Sequence, residues 1–174
     1  DIAFVNGGGI RKQIEAADIT LADISRVHPF GNTMCVIRVT GQQVLDALEW
    51  GARAVPSENG GFLQVSGLTY EIHTGVASSA EKDENGMFTR VSGEYRVKNV
   101  MVGGQPLELD KTYTLASHNY MLLGHGDGYT MFDGCEVLGE DMMVDNQVLI
   151  TYITTNLGGV VGEQYANPYG DGRI

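Results

Sequence analysis

Ile2-Ala3-Phe4-Val5-Asn6-Gly7-Gly8-Gly9-Ile10-Arg11 opens the chain: a short apolar run that breaks into three glycines and an arginine. The run reads as a strand over residues 2–5. Without Cβ atoms, consecutive glycines let the backbone turn tightly and come close to a ligand. The arginine that follows is always charged, and its planar fork suits carboxylate or phosphate through two parallel hydrogen bonds. Taken alone, the stretch fits either a ligand loop or a tight corner.

Downstream the pattern interleaves strands and helices. Thr20 is placed to cap a helix that runs through Val27, and residues 33–40, β-branched and apolar, read as a strand. Gly41 leads into a helix over 42–54, with Val44, Leu45, Leu48 and Ala52 on one face. Strands are expected over 62–65 and 68–74, separated by the Ser66-Gly67 turn. The polar stretch 76–93 fits an exposed hairpin with its tip at Asn85-Gly86. Further strands are expected over 95–102 and 112–116, and a last helix over 144–155. With no Pro- or Ser-rich linker, this predicts one compact α+β domain of mixed strands and helices across 1–174. Ile37–Val44 resembles Val100–Leu107, which fits either an internal duplication or a reused strand-turn device.

A chain of 174 residues buries roughly 70% of the surface its unfolded form exposes, enough for one sizeable core. The formal charge of −11, with 11 Lys and Arg in no cluster, disfavours a polymeric nucleic acid as partner. A small anion held by one or two arginines is compatible with it. No apolar run approaches the ~20 residues of a membrane span, and no basic-then-apolar leader is present. Cys35 and Cys135 lack metal-ligand spacing and sit among apolar neighbours, so buried free thiols are expected. His28, His73, His118 and His125 form no paired metal motif with carboxylates. A Cys35–His28 nucleophile pair is disfavoured because Cys35 lies inside a β-branched strand. Asp83-Glu84-Asn85-Gly86 lacks the alternating ligands of a calcium loop and reads as a solvated turn.

A second glycine-rich stretch is Gly124-His125-Gly126-Asp127-Gly128-Tyr129. It fails the dinucleotide fingerprint, whose third glycine would fall at Tyr129, and it lacks the Lys of a phosphate-binding P-loop. Its aspartate either accepts hydrogen bonds from a pair of ligand hydroxyls or stabilises its own turn. Phe62 follows Gly60-Gly61, and Tyr120 precedes the second loop. Two such rings either sandwich a planar base, worth about 1–3 kcal/mol per base, or fill the core.

Asn6-Gly7-Gly8-Gly9-Ile10-Arg11, Pro29-Phe30-Gly31-Asn32, Gly61-Phe62-Leu63-Gln64-Val65-Ser66-Gly67, Gly126-Asp127-Gly128-Tyr129 and Gly172-Arg173-Ile174 occur in that order. Together they resemble the C-terminal domain of the 5′-nucleotidase family, which includes UDP-sugar hydrolases and 2′,3′-cyclic-nucleotide phosphodiesterases of bacterial periplasms and cell surfaces. The resemblance covers nearly the whole chain. It implies a domain that binds a nucleoside or nucleotide and presents it to a separate N-terminal metallophosphatase domain of the same polypeptide, absent from this chain. That domain would hold two divalent metal ions; no catalytic residue, metal or cofactor is expected here. By the same likeness Phe62 and Tyr120 clamp the base, and Asp127 holds the ribose hydroxyls. Arg11 meets phosphate or ribose oxygens, Asn32 reaches base or sugar, and Arg38 stands near a second substrate arginine. Gly8, Gly9 and Gly126 supply the close backbone of the pocket. The parent is expected to be an extracytoplasmic phosphoesterase (periplasmic, surface-bound or secreted), and this chain alone to be inactive. The rival readings are a non-catalytic scaffold domain and an independent Cys/His hydrolase.

Overall fold

The computed structural model describes residues 1–167 and 170–174. In chain order the first strands are β1 (Ile2–Asn6), β2 (Met34–Thr40), β3 (Leu63–Ser66), β4 (Leu68–Ile72) and β5 (Ala80–Lys82). There follow β6 (Phe88–Val91), β7 (Val97–Val102), β8 (Gln105–Pro106), β9 (Thr112–His118) and β10 (Glu136–Gly139). The α-helices are α1 (Leu21–Val27), α2 (Gly41–Ala52), α3 (Asn119–Leu122) and α4 (Asp145–Thr151). This is the α+β mixture expected, built around one continuous apolar core.

The main sheet has the order β10-β2-β9-β1-β3. β1 runs parallel to β9 and antiparallel to β3, while β2 runs antiparallel to β9 from Met34 opposite His118 to Thr40 opposite Thr112. Strand direction therefore gathers four connections at one end of this sheet. They are the turn after β1, the segment before β2, the turn before β3 and the segment after β9. Four of the quoted motifs lie in those four connections.

Alternation along β1 sends Ile2, Phe4 and Asn6 inward. Phe4, Ile37, Leu63 and Leu115 of the sheet pack with Val44, Leu48 and Trp50 of α2, all fully buried. Helix α2 starts on a capping box. The Thr40 hydroxyl accepts from the Gln43 N–H at 3.2 Å, and Gln43 Oε1 accepts from the Thr40 N–H at 2.8 Å. Thr20 and Asp23 form the same box at the start of α1. At the other end of α2, buried Arg96 donates to the Ala52 and Val55 carbonyls at 3.2 and 2.8 Å, and Glu49 accepts from the Val97 N–H at 2.9 Å. These bonds fasten the small β4-β7-β8 sheet to the helix. Trp50 meets Phe88 edge-on, centroids 5.7 Å apart, which brings in the β5-β6 hairpin. The closing motif is structural: Arg173 donates to the Val65 carbonyl at 2.5 Å and accepts from the Tyr70 N–H at 2.9 Å, across β3 and β4.

The expected elements shift where tertiary contacts intervene. The strand expected over 112–116 extends to His118, because Ser117 and His118 find partners in Cys35 and Met34 of β2. Phe62 falls just before β3, and α2 ends at Ala52. The last helix is α-helical through Thr151 and continues as a wider π-turn over Tyr152–Asn156. β10, with no alternation of its own, forms by pairing with β2. The two similar segments fold differently: after Thr40 the chain enters a helix, whereas Gly103 and Gly104, at φ 57° and 78°, turn it back into a hairpin. Their likeness is a reused local device and not a structural repeat.

Gly41 shows how tight one of these corners is. A Cβ there would overlap the Glu108 carbonyl oxygen, a backbone atom with no freedom to yield. Helix propensity alone favours alanine over glycine by up to about 1 kcal/mol. Gly41→Ala is nonetheless expected to destabilise the chain by about 2 kcal/mol or more, read by urea denaturation, because the overlap outweighs the propensity gain.

Candidate functional site

The loop after α3 is held in a backbone conformation that ordinary side chains avoid. His125, Asp127 and Gly128 take φ values of 53°, 55° and 85°, all left-handed. For each non-glycine residue this costs on the order of 1 kcal/mol or more, and it persists only where surroundings over-determine it. Here the indole N–H of Trp50 donates to the Asp127 carbonyl at 2.9 Å, and the buried Tyr129 hydroxyl donates to the Gly61 carbonyl at 2.5 Å. A Cβ on Gly128 would stand 2.9 Å from both the Trp50 ring and the Gly86 carbonyl oxygen, so the loop lies flat on the core. His125 pairs with Asp133 at the outer edge. The strain presents one side chain, that of Asp127.

Its carboxylate has two partners of different character. Asn6 Nδ2 donates to Oδ2 at 2.6 Å, and the Tyr120 hydroxyl donates to Oδ1 at 3.1 Å. Burial, reinforced by the Asp127 charge, pushes the Tyr120 phenol above its ordinary value. The Tyr120 ring is 42% exposed and lies flat over Gly126, where any Cβ would enter the ring.

Asn6 is buried, and its amide oxygen meets His118 Nε2 at 3.1 Å. Since Asn6 must turn its N–H to the carboxylate, its oxygen faces the imidazole, and Nε2 carries the proton. Nδ1 of His118 is then an acceptor, buried and, among the described residues, without a side-chain partner. Burial pushes the imidazole below its ordinary pKa; the charges of Asp145 and Asp127 pull the other way, that of His28 with it.

The three glycines of the opening turn are spaced for this arrangement. Gly7 and Gly8 donate backbone N–H groups to the Phe62 and Gly60 carbonyls, each at 2.7 Å. A Cβ on Gly8 would lie 3.1 Å from Gly60, and one on Gly9 would lie 2.9 Å from Asn6 Oδ1. The turn is thus zipped to the segment before β3, and a cleft of about 620 Å³ opens beside them, lined by Gly7, Gly8, Ile10, Arg11, Asn59 and Phe62 among others.

The structure brings Gly8, Gly9, Phe62, Tyr120, Gly126 and Asp127 to the same end of the sheet. Among the described residues no ring contact joins Phe62 to Tyr120. Arg11 is exposed on the cleft, its guanidinium 3.2 Å from the Gly8 carbonyl and 5.9 Å above the Phe30 ring centroid. Asn32 lies half-buried before β2, its carbonyl accepting from the Asp145 N–H at 2.8 Å. Arg38 is set apart. It sits four residues along β2, opposite Thr114, and pairs with Glu136 of β10 at 2.9 Å. Cys35 and Cys135 are free. Cys35 is fully buried, and burial raises its thiol pKa, the opposite of what a nucleophile needs. Among the described residues no group of three or more His, Cys, Asp or Glu is placed to hold a metal ion.

Asn6 and His118, named in the sequence only within the opening motif and among the histidines, stand behind Asp127 in the structure. One signal was available for Asn6: it stands in phase with Ile2 and Phe4, so the strand aims a polar amide into the core, where it requires partners.

Acid is expected to act on this site through His118. Its folded pKa lies below the unfolded value near 6.5, so the unfolded chain binds the extra proton first. The contribution is intact above pH 6.5 and is lost as pH falls below that value toward the folded pKa. Denaturant midpoints between pH 7.5 and 5 should decline, and His118→Phe should flatten that decline.

Comparison with known proteins gives a consistent set of matches. The family model described as 5′-nucleotidase, C-terminal domain, matches residues 1–134. The chain is 35% identical over 173 residues to the trifunctional nucleotide phosphoesterase protein YfkN of Bacillus subtilis, covering 99% of this chain and 11% of that protein. It is 32% identical over 156 residues to a 5′-nucleotidase of Vibrio cholerae, covering 90% of this chain and 24% of that protein. Among solved structures, the 5′-nucleotidase precursor of Thermus thermophilus superposes with a TM-score of 0.79 at 32% identity, covering 99% of this chain and 31% of that one. The chain thus spans about a quarter or less of the curated relatives' length.

Proposed function

The chain belongs to the family of 5′-nucleotidase C-terminal domains, and on that premise we propose that it is the nucleoside- or nucleotide-recognition domain of a bacterial metal-dependent 5′-nucleotidase or 2′,3′-cyclic-nucleotide phosphodiesterase. The observation that carries this reading is Asp127, a carboxylate on a left-handed turn that accepts from the exposed Tyr120 hydroxyl and abuts Gly61, next to the cleft that Arg11 and Phe62 line. A carboxylate accepts from both hydroxyls of a vicinal diol, which suits a ribose. Phe62 and Tyr120 supply two aromatic faces at the same end of the sheet for a base. Arg11 offers N–H donors to phosphate, and Asn32 lies within the same group of connections. Arg38, paired with Glu136, has no part in this reading.

Hydrolysis is assigned elsewhere. Two-metal phosphate chemistry needs clustered ligands to generate hydroxide and stabilise an in-line transition state. The described residues do not fit two divalent ions, so no hydrolytic step is derived for this chain. In the proposed parent an N-terminal metallophosphatase domain holds them, and rotation of the two domains carries the substrate across. The relatives' much greater length supports a longer parent. An extracytoplasmic location, at the periplasm, the surface or outside the cell, is supported by the description of the Thermus relative as a precursor. No helix among the described residues is long and apolar enough to cross a membrane.

Titration of the chain with adenosine and with AMP, followed by NMR of the Phe62 and Tyr120 ring resonances, tests the reading. Both rings are expected to shift at up to millimolar ligand. Asp127→Ala should weaken both ligands about tenfold or more, whereas Arg11→Ala should weaken AMP about tenfold and adenosine little. Silence of both rings at millimolar ligand overturns base stacking by this chain. Unchanged affinities in both variants favour the scaffold reading.

A further inference from the structure

The two oxygens of Asp127 are not equivalent. Oδ2 faces inward and takes the short 2.6 Å bond from Asn6, whose residue is 5% exposed; Oδ1 faces outward and takes the 3.1 Å bond from the exposed Tyr120 hydroxyl. A ligand hydroxyl can replace Tyr120 on Oδ1 without disturbing the core. It cannot replace Asn6.

The orientation of Asn6 is set from behind. An amide is nearly symmetric in shape, and a half-turn would put its oxygen against the carboxylate. The Nε2–H of His118, at 3.1 Å from Asn6 Oδ1, opposes that half-turn. His118 is itself enclosed: it is 3% exposed, and it closes the β2–β9 ladder opposite Met34. Among the described residues its other nitrogen meets no side-chain partner. An unmet buried acceptor costs about 1–3 kcal/mol, so a position needed only for filling would be better served by an apolar ring. Among the described residues, the one side-chain hydrogen bond this imidazole makes is to Asn6. Gly9 completes the fit, since a Cβ there would stand 2.9 Å from Asn6 Oδ1 and 3.9 Å from His118 Nε2.

We infer that His118 is a positioning residue for sugar recognition: through Asn6 it locks the Asp127 carboxylate so that Oδ1 is the oxygen exchanged between the Tyr120 hydroxyl and a hydroxyl of the ligand. The inference rests on the reading of Asp127 as the ribose contact. It adds that hydroxyl recognition, as distinct from base stacking, depends on an imidazole that never touches the ligand.

The test compares adenosine with 2′,3′-dideoxyadenosine, which keeps the base and lacks both ribose hydroxyls. Dissociation constants are measured by NMR titration of the 174-residue chain and of its variants. The unmodified chain is expected to prefer adenosine about tenfold. His118→Phe keeps a buried ring and removes the donor. It should bring the preference to within about twofold of unity while leaving dideoxyadenosine affinity unchanged, and His118→Gln, which restores an N–H donor, should recover part of it. A folded His118→Phe chain that keeps the full preference overturns the positioning role alone. An unmodified chain with no preference overturns the ribose reading, and this inference with it. Should His118→Phe fail to fold, ¹⁵N NMR of the unmodified chain decides. Protonation at Nε2, with Asn6 side-chain amide shifts that respond to adenosine and not to dideoxyadenosine, supports the inference. An Nδ1–H tautomer, or equal amide responses, overturns it.

Discussion

The parallel pairing of β1 with β9 is the constraint on which the rest of the structure depends. Parallel neighbours cannot be joined by a tight hairpin, so everything between them must leave one end of the sheet and return at the other. The intervening chain uses that passage to build α2, the small sheet and the β5-β6 hairpin on the core. Because β2 and β3 run against this pair, their beginnings lie where β1 and β9 finish. The glycine turn, the Asn32 segment, the Gly60–Phe62 turn and the Asp127 loop then meet without any long loop having to reach across the molecule.

At that meeting point polarity is layered by depth. Trp50, Tyr129 and Phe4 form an apolar floor; His118 and Asn6 form a buried polar layer above it; Asp127 is half-buried; Tyr120 and Arg11 face solvent. Hydrogen bonds run outward through the polar part, from His118 to Asn6, from Asn6 to Asp127 and from Tyr120 to Asp127, and Gly9 is placed where a Cβ would crowd the first of them. Tyr120 and Arg11 are thus the exposed members of this group, while the carboxylate is held from beneath by Asn6.

Local rules read the elements well. Thr20 with Asp23 and Thr40 with Gln43 announce helix starts by chemistry that acts over three residues, and the Asn85-Gly86 tip and the apolar face of α2 are equally local. The loop motifs were legible as motifs because glycines mark close approach whatever the neighbour is. What lay beyond reading was partnership across the chain. That His118 faces Asn6 follows from strand order and register, which no window of sequence contains. β10 has no pattern of its own and exists through β2. Arg38 shows the converse: its residue type suits an anion, but register places it four residues from the site beside Glu136, and proximity in sequence to Asn32 says nothing of this.

The bond from Asn6 to Asp127 joins residues 121 apart in sequence, and that from His118 to Asn6 joins residues 112 apart. Contacts of such separation carry a loop-closure cost that the rest of the fold must offset. The arrangement therefore draws on both ends of the fold: the first strand supplies Asn6 and the second glycine loop supplies Asp127. Any molecule that binds there is linked by mass action to the cooperative unit as a whole. Occupancy would hold the first strand and the second glycine loop together against local opening.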